Sequence, residues 1–323
     1  MTGPVPLAPA ASEIDAVARR IAPHVRRTPL LASRAGEFGV AHALSLKLEL
    51  LQHAGSFKTR GAFSNLLGAD VPAAGVTAAS GGNHGAAVAY AAGRLGLKAK
   101  IFTPSISSPA KLAAIRGFGA ELHAEGARYA DAAALCEAHA AQTGALNVHP
   151  YDAPATLAGQ GTLFREWEAQ LAAEDAALDT ALIAVGGGGL IGGACAWFGG
   201  RVKIVGVEPD GSRALHAALE AGGPAGVPPV PAAADSLGAR RVGAMPFAQA
   251  RRAGVVATLV PDAAIVAAQR LLWRHARIAA EPGGACALAA LICGAYAPSP
   301  GERVGVLVCG GNVDLSALAQ TAA

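Results

Sequence analysis

From Val76 onward the chain alternates short apolar runs with longer stretches of helical period, and this alternation restricts the fold more than any other feature. Val76–Ala79 precedes a helical stretch near His84–Leu95, Ala99–Phe102 precedes one near Pro109–Gly117, and Glu121–His123 precedes one over about Tyr129–Thr143. Leu146–His149 closes this group, and Thr156–Leu171 reads as the next helix. Further runs at Ala181–Val185, Val202–Val207, Val255–Leu259 and Val304–Val308 predict strands separated by helices. Strands that alternate with helices are joined by crossovers rather than hairpins, so the sheets are parallel and the class is α/β. The short units from Val76 to His149 predict a small domain, 75–152, inserted in a large one made of 1–74 and 153–323. In open parallel sheets, ligands bind at the carboxyl ends of the strands.

The rest of the chain adds a frayed tail over Met1–Ala11 and a first helix opened by a capping-box pattern at Ser12–Asp15. That helix ends before Thr28–Pro29, and Gly222–Ala234 is the clearest surface loop. Charged residues are 15% of the 323 and hydrophobic ones 52%, which excludes a disordered chain. A net charge of +3 is too small to argue for nucleic acid or an anionic membrane. Thr180–Gly200 and Pro282–Gly301 carry no charge, but their glycines and prolines predict a strand or loop plus a buried helix rather than membrane spans. Five cysteines without a CxxC pair argue against a disulfide framework or zinc site, and the start shows no signal peptide, so a cytoplasmic location is expected.

Gly55-Ser56-Phe57-Lys58-Thr59-Arg60-Gly61-Ala62 places one lysine at the mouth of a helix, directly after a strand. The strand is Ala43–Leu50, where leucines at 44, 46, 48 and 50 alternate with Ser45, Lys47 and Glu49. Ser56 is positioned to cap a helix starting near Phe57. Lys58 then sits in the first turn, where the positive helix end disfavours a cation and desolvation lowers the ammonium pKa further. A readily neutral lysine is a nucleophile of the Schiff-base kind. Taken alone, the segment fits a surface lysine in a first turn at least as well.

Three more segments end a strand and open a helix with small residues: Ser80-Gly81-Gly82-Asn83-His84-Gly85, Gly186-Gly187-Gly188-Gly189-Leu190, and Cys309-Gly310-Gly311-Asn312. Backbone amides of the four-glycine run can converge on an anion at a helix N-terminus. The same run contains a dinucleotide fingerprint in Gly187, Gly189 and Gly192, with Glu208 at the ribose-binding distance, so an NAD-dependent oxidoreductase is a rival reading. His84 is a general base or a packing residue, Cys309 a nucleophile or a hydrogen-bonding thiol. Glu281 is a helix cap or a site carboxylate.

Together these segments resemble the fold-type II pyridoxal-phosphate (PLP) family of serine/threonine dehydratases and serine racemases, whose fold is similar to that of the tryptophan synthase β chain. The resemblance runs from about Ser12 to Leu318. It rests on Arg27-Thr28-Pro29-Leu30, Gly55-Ser56-Phe57-Lys58, Ser80-Gly81-Gly82-Asn83-His84, Gly159-Gln160-Gly161-Thr162, the four glycines, Glu281-Pro282 and Gly310-Gly311-Asn312. The resemblance implies that Lys58 forms the Schiff base with PLP while Phe57 packs beside the ring. It implies that Asn83 bonds the ring's phenolic oxygen, Gly186, Gly187, Gly188, Gly189 and Leu190 hold the phosphate, and Cys309 faces the pyridine nitrogen. Ser80, Gly81, Asn83 and His84 would grip the substrate carboxylate, largely through backbone amides. A thiol at Cys309 is a weak partner for the nitrogen, which favours eliminating a β-hydroxyl over transamination.

Departures from the pattern narrow the expectation. Racemases of this type place a second acid/base serine where this chain has Gly81, so dehydration is favoured over racemisation and Lys58 is expected to be the only proton-transfer base at Cα. A racemase-like metal site would use Glu208 and a downstream aspartate, but that position is Ala214, so no metal is expected. The Ser80–His84 loop lacks the threonine-rich character of O-acetylserine sulfhydrylases, and the chain ends too soon after Asp314 for the regulatory domain of biosynthetic threonine dehydratases. The expected activity is a PLP-dependent ammonia-lyase, a homodimer acting on L-threonine or L-serine, with a racemase or another β-hydroxy amino acid lyase as the alternative.

Overall fold

The computed structural model describes residues 8–228 and 234–315. Most of the tail predicted at Met1–Ala11, the centre of the loop predicted at Gly222–Ala234, and Leu318 therefore lie outside the described residues. The chain begins with α1 (Ala11–Ile21), then β1 (Leu30–Ala32), β2 (Leu44–Lys47) and α2 (Lys58–Leu67). Next come β3 (Val76–Ala79), α3 (Asn83–Arg94), β4 (Ala99–Thr103), α4 (Pro109–Gly117), β5 (Glu121–Ala124), α5 (Tyr129–Thr143) and β6 (Leu146–Asn147). The second half runs α6 (Pro154–Ala172), β7 (Thr180–Ala184), α7 (Gly189–Phe198), β8 (Lys203–Pro209), α8 (Ala214–Ala221), α9 (Ala234–Leu237) and α10 (Ala244–Arg252). It closes with β9 (Val256–Val260), α11 (Asp262–Ala276), α12 (Pro282–Ile292) and β10 (Val304–Leu307).

Two sheets result. One has the order β1-β2-β10-β7-β8-β9, the other β5-β4-β3-β6. Every pairing is parallel except β1 with β2. The central strands β3, β7 and β10 are buried along their whole length, because helices cover both faces of a parallel sheet. The uncharged window Thr180–Gly200 is β7 followed by α7, and the one at Pro282 opens with the buried helix α12. No helix among the described residues is long and apolar enough to cross a membrane.

Small residues bring the helices close. A Cβ on Gly159 of α6 would stand 2.6 Å from the Cα of Gly61 on α2, so the two helices meet backbone to backbone there. Since α6 also packs on α7, it sets the helix that begins with Lys58 against the one that begins with the glycine run. This packing gives the Gly159–Thr162 segment its physical role.

Three local expectations change. The first helix starts at Ala11, and Glu13 rather than a Ser12–Asp15 box closes its start, accepting from the Ala10 amide at 2.6 Å. The strand predicted at Ala43–Leu50 ends at Lys47 and turns into a short 3-10 segment, Glu49–Leu51. Its polar positions are inside, with Lys47 and Glu49 both wholly buried. Lys47 Nζ donates to Glu166 and Gln170, each at 2.6 Å, and to the Thr28 carbonyl at 2.8 Å. Glu49 accepts from Arg60 and, at 2.7 Å, from the Thr28 hydroxyl. These partners explain why charged side chains alternate with leucines on a strand that has no solvent face.

Candidate active site

Lys58 is the first residue of α2, and the chain before it is fastened to the end of β10. Ser56 forms an antiparallel bridge with Gly310, and the Phe57 amide donates to the Cys309 carbonyl at 3.1 Å. The expected Ser56 cap is absent: Phe57 holds the N-cap position, and the buried Ser56 hydroxyl has no hydrogen-bond partner among the described residues. The bridge to Gly310 turns Ser56 away from the helix it was expected to close. The Lys58 amine donates to the Pro150 carbonyl at 2.7 Å and lies 5.1 Å from the centre of the Phe57 ring. Desolvation by burial lowers its pKa to about 8, with Cys309 acting weakly in the opposite direction. Burial is the leading cause of that shift.

The glycine run follows β7 and opens α7. Gly188 has φ +91°, a conformation that glycine adopts without strain. The first helical bond of α7 is Gly192 N–H to the Gly188 carbonyl at 2.8 Å. The amides of Gly187, Gly188, Gly189 and Leu190 donate to no described acceptor, as the geometry of a helix start requires. Tyr151 lies along this run, and a Cβ on Gly187 would run into its ring. Lys58 therefore meets the Pro150–Tyr151 segment on one side, and the glycine run meets it on the other.

That segment is a strap. Asp152 caps α10, accepting from the amides of Ala244 and Met245 at 2.9 and 3.0 Å. His149 Nδ1 accepts from the amides of Tyr151 and Asp152. At the other end, His84 Nε2–H donates to the Val148 carbonyl at 2.8 Å. Burial, then the nearby Lys58 charge, drives the His84 pKa down to about 3, so the imidazole is neutral and occupied. Its side chain anchors the strap rather than acting as a general base, and its backbone amide remains at the start of α3.

Asn83 begins α3 with its amide locked at both ends. Its Nδ2 donates to Glu281 Oε1 at 2.5 Å, and its Oδ1 accepts from Asn312 Nδ2 at 2.7 Å. Glu281 stands at the N-cap position of α12 but makes no side-chain cap, so its carboxylate serves Asn83 and not its own helix. The Glu281 amide donates to the Gly310 carbonyl at 3.1 Å, which joins this group to Cys309 and Lys58. The Cys309 thiol donates to the Gly283 carbonyl at 3.3 Å. Burial, then Glu281, holds its pKa far above the ordinary thiol value, so it is a neutral hydrogen-bonding thiol and not an activated nucleophile.

Ser80 accepts the Gly82 amide at 3.2 Å and, with Gly81, forms the turn between β3 and α3. Glu208 lies elsewhere. Its buried carboxylate accepts the amides of Leu215 and His216, both at 2.8 Å, and so caps α8. That commitment removes it from the ribose-binding role of the dinucleotide fingerprint. No cluster of three or more metal-ligating side chains occurs among the described residues. A cavity of about 990 Å³ lies beside α3 rather than over Lys58; Gln52, Tyr90, Phe118 and Asn312 line it, and Asn83 is the only predicted site residue that reaches it. The sequence reading missed Pro150, Tyr151 and Asp152, which belong to no motif and acquire their place only when the chain crosses between the two sheets.

Comparison with known proteins shows the family. A family model described as "Pyridoxal-phosphate dependent enzyme" matches residues 21–310. The chain is 40% identical over 319 residues to the phenylserine dehydratase of Ralstonia pickettii, covering 97% of this chain and 96% of that protein. It is 38% identical over 315 residues to the biosynthetic L-threonine dehydratase of Mycobacterium leprae (strain TN), covering 94% and 73% respectively. Among solved structures, maize serine racemase superposes with a TM-score of 0.90 at 31% identity, over 97% of both chains. With Lys58 and the glycine run both set against the Pro150–Tyr151 strap, and the family model spanning nearly the whole chain, the protein belongs to the pyridoxal-phosphate dependent enzymes of fold type II.

Proposed function

We propose that this PLP-dependent lyase dehydrates L-β-hydroxy amino acids, HO–CHR–CH(NH3+)–COO−, to the 2-oxo acid R–CH2–CO–COO− and ammonium. The water lost on elimination is taken up again on hydrolysis. R is hydrogen, methyl or phenyl, as in serine, threonine and phenylserine. The observation that carries the reading is the buried Lys58 amine, lowered to a pKa of about 8 and held at 2.7 Å by the carbonyl of Pro150, whose neighbour Tyr151 lies along the glycine run.

The residues fit the cofactor: a desolvated amine suits an aldehyde, four uncommitted amides at the positive end of α7 suit a phosphate, and Asn83 keeps one amide hydrogen beyond its bond to Glu281. When bound, PLP supplies an aldehyde carbon that an amine attacks and a conjugated ring that accepts the electron pair left at Cα. In this reading Lys58 would be the residue that holds the cofactor, and its amine would take the Cα proton; a pKa near 8 lets it both accept and return a proton. Gly186 to Leu190 hold the phosphate, Phe57 packs on the ring, and Asn83 is kept in one orientation by Glu281 and Asn312. Cys309 offers the ring nitrogen only a neutral thiol, which favours loss of a β-hydroxyl over transamination. The amides of the Ser80–His84 turn hold the substrate carboxylate. Residues 75–152 form the small domain covering the site. Homodimeric assembly and a cytoplasmic location belong to the same proposal, and five unpaired cysteines are consistent with a reducing compartment.

The test is incubation of the yellow holoenzyme with L-threonine, L-serine and L-phenylserine, measuring 2-oxo acid, ammonia and the chirality of remaining substrate. Equal amounts of oxo acid and ammonia are expected from at least one of the three. Accumulation of the D-enantiomer with no oxo acid would overturn the reading in favour of racemisation.

A further inference from the structure

Gly81 and Ser107 share one volume. Gly81 lies in the turn after β3 and Ser107 in the loop after β4, at the carboxyl ends of two paired parallel strands. The φ of Gly81 is not positive, so no left-handed φ bars a side chain there. What excludes a side chain there is Ser107. A Cβ on Gly81 would fall inside the radius of the Ser107 hydroxyl oxygen and 2.8 Å from the Ser107 Cβ. The serine hydroxyl thus occupies the place that a side chain of residue 81 would fill.

Ser107 and Thr103, the latter at the end of β4, both carry hydroxyls without hydrogen-bond partners among the described residues. The half-buried Ser107 hydroxyl bonds no described group, and its backbone is fixed instead by a turn in which its amide donates to Pro104 at 3.1 Å. Thr103, wholly buried with its Cβ 3.6 Å from the same point, has no hydrogen-bond partner for its hydroxyl among the described residues. Buried polar groups are ordinarily satisfied, so the unpartnered Thr103 hydroxyl, close to a turn that opens a helix, points to a ligand as the missing partner, and the half-buried Ser107 hydroxyl beside it is free to meet the same ligand.

We infer that Ser107 is a substrate-contacting residue: its hydroxyl replaces the absent side chain of residue 81 and hydrogen-bonds the amino acid held against the Ser80–His84 turn. The identity of that amino acid rests on the dehydratase reading; the location of the hydroxyl does not. The expectation that Lys58 alone can exchange protons with the substrate came from reading Gly81 as a gap, and a hydroxyl from another loop fills that gap.

The experiment titrates holoenzyme with L-threonine or L-phenylserine and reads the dissociation constant from the change in cofactor absorbance. It compares wild type with Ser107→Ala, Gly81→Ser and the double variant Gly81→Ser/Ser107→Gly. Loss of one neutral hydrogen bond should weaken binding by Ser107→Ala about three- to tenfold, with cofactor content and melting temperature unchanged. Gly81→Ser alone should bind more weakly than wild type, because the new side chain collides with Ser107. The double variant, which moves the hydroxyl back onto residue 81, should recover to within about twofold of wild type. Wild-type binding by Ser107→Ala, or a double variant no better than Ser107→Ala, would overturn the inference. If wild type titrates but forms no oxo acid, the dehydratase reading fails while the comparison of variants still stands.

Discussion

Arg60 and Glu49 form a two-pronged ion pair, at 2.5 and 3.1 Å, two residues beyond Lys58 on the same helix. Arg60 also reaches Glu166 at 3.0 Å, and Glu166 in turn holds Lys47. Burial opposes the charge on Arg60, but Glu49 and Glu166 outweigh it and hold its pKa above the ordinary arginine value. The Lys58 helix is therefore seated on a satisfied ionic cluster, which limits how far its first turn can shift.

Arg60→Leu should destabilise the protein by about 3–5 kcal/mol, because it leaves two carboxylates facing a site that has lost its cation. Urea unfolding of the holoenzyme reads this directly. A loss below about 1 kcal/mol would mean that water reaches the cluster and that the buried pair is not what seats α2.

Gly188 and Gly200 separate backbone strain from cofactor binding. Both have left-handed φ, +91° and +90°, so alanine at either position is strained. A Cβ at Gly188 would also stand 2.7 Å from Pro246 and 2.8 Å from Val242, whereas at Gly200 nothing lies within 4 Å. Gly188→Ala should lose PLP affinity by at least about tenfold, since the collision displaces the amides proposed to hold the phosphate. Gly200→Ala should lose stability alone, and equal PLP affinity in the two variants would rule out the phosphate role of the run.

Lys58 should make cofactor attachment depend on pH. Its pKa is lowered from 10.5 to about 8, so the neutral amine gains population as pH rises through 8. The rate at which apoprotein takes up PLP, followed by absorbance, should rise with pH and level off above about 8. A midpoint near 10.5 would show an ordinary solvated lysine. Lys58→Ala should retain no borohydride-fixed cofactor and should lose about 10²–10⁴-fold in turnover.

Glu208 should couple stability to pH without touching catalysis. Burial raises its pKa from 4.5 to about 7, against the two capping amides of α8 that pull it down. Between these values the folded state binds more protons than the unfolded one, so stability falls with rising pH. This contribution is complete below 4.5 and lost as pH passes about 7. The melting-temperature advantage of wild type over Glu208→Gln should therefore shrink across that window. A gap that widens would mean that the cap, rather than desolvation, governs the carboxyl.

Much of this was legible in the chain because it is local. Strand and helix periods lie within contiguous residues, and a glycine run after a strand marks a helix start wherever it occurs. Lys58, the glycine run, Asn83 and Cys309 stand out as candidates by their position in the sequence, each next to a strand end or a helix start. Ser56 misled because its capping role is also a local rule, and the long-range bridge to Gly310 prevailed over it. The leucine alternation at 44–50 predicts a strand that the structure keeps only over Leu44–Lys47, and alternation says nothing about what covers the polar face. Here α6 covers it with Glu166 and Gln170.

The sequence by itself determined the α/β class, the order of elements, one lysine at the start of a helix and one glycine run at the start of another. These follow from backbone geometry and period, which short segments encode. Only the tertiary structure decided that Glu281 holds Asn83 across 198 residues, that Tyr151 lies along the glycine run, and that Ser107 fills the side-chain place of Gly81. Each of those depends on how two separately formed loops are packed against one another, and no local pattern carries that information.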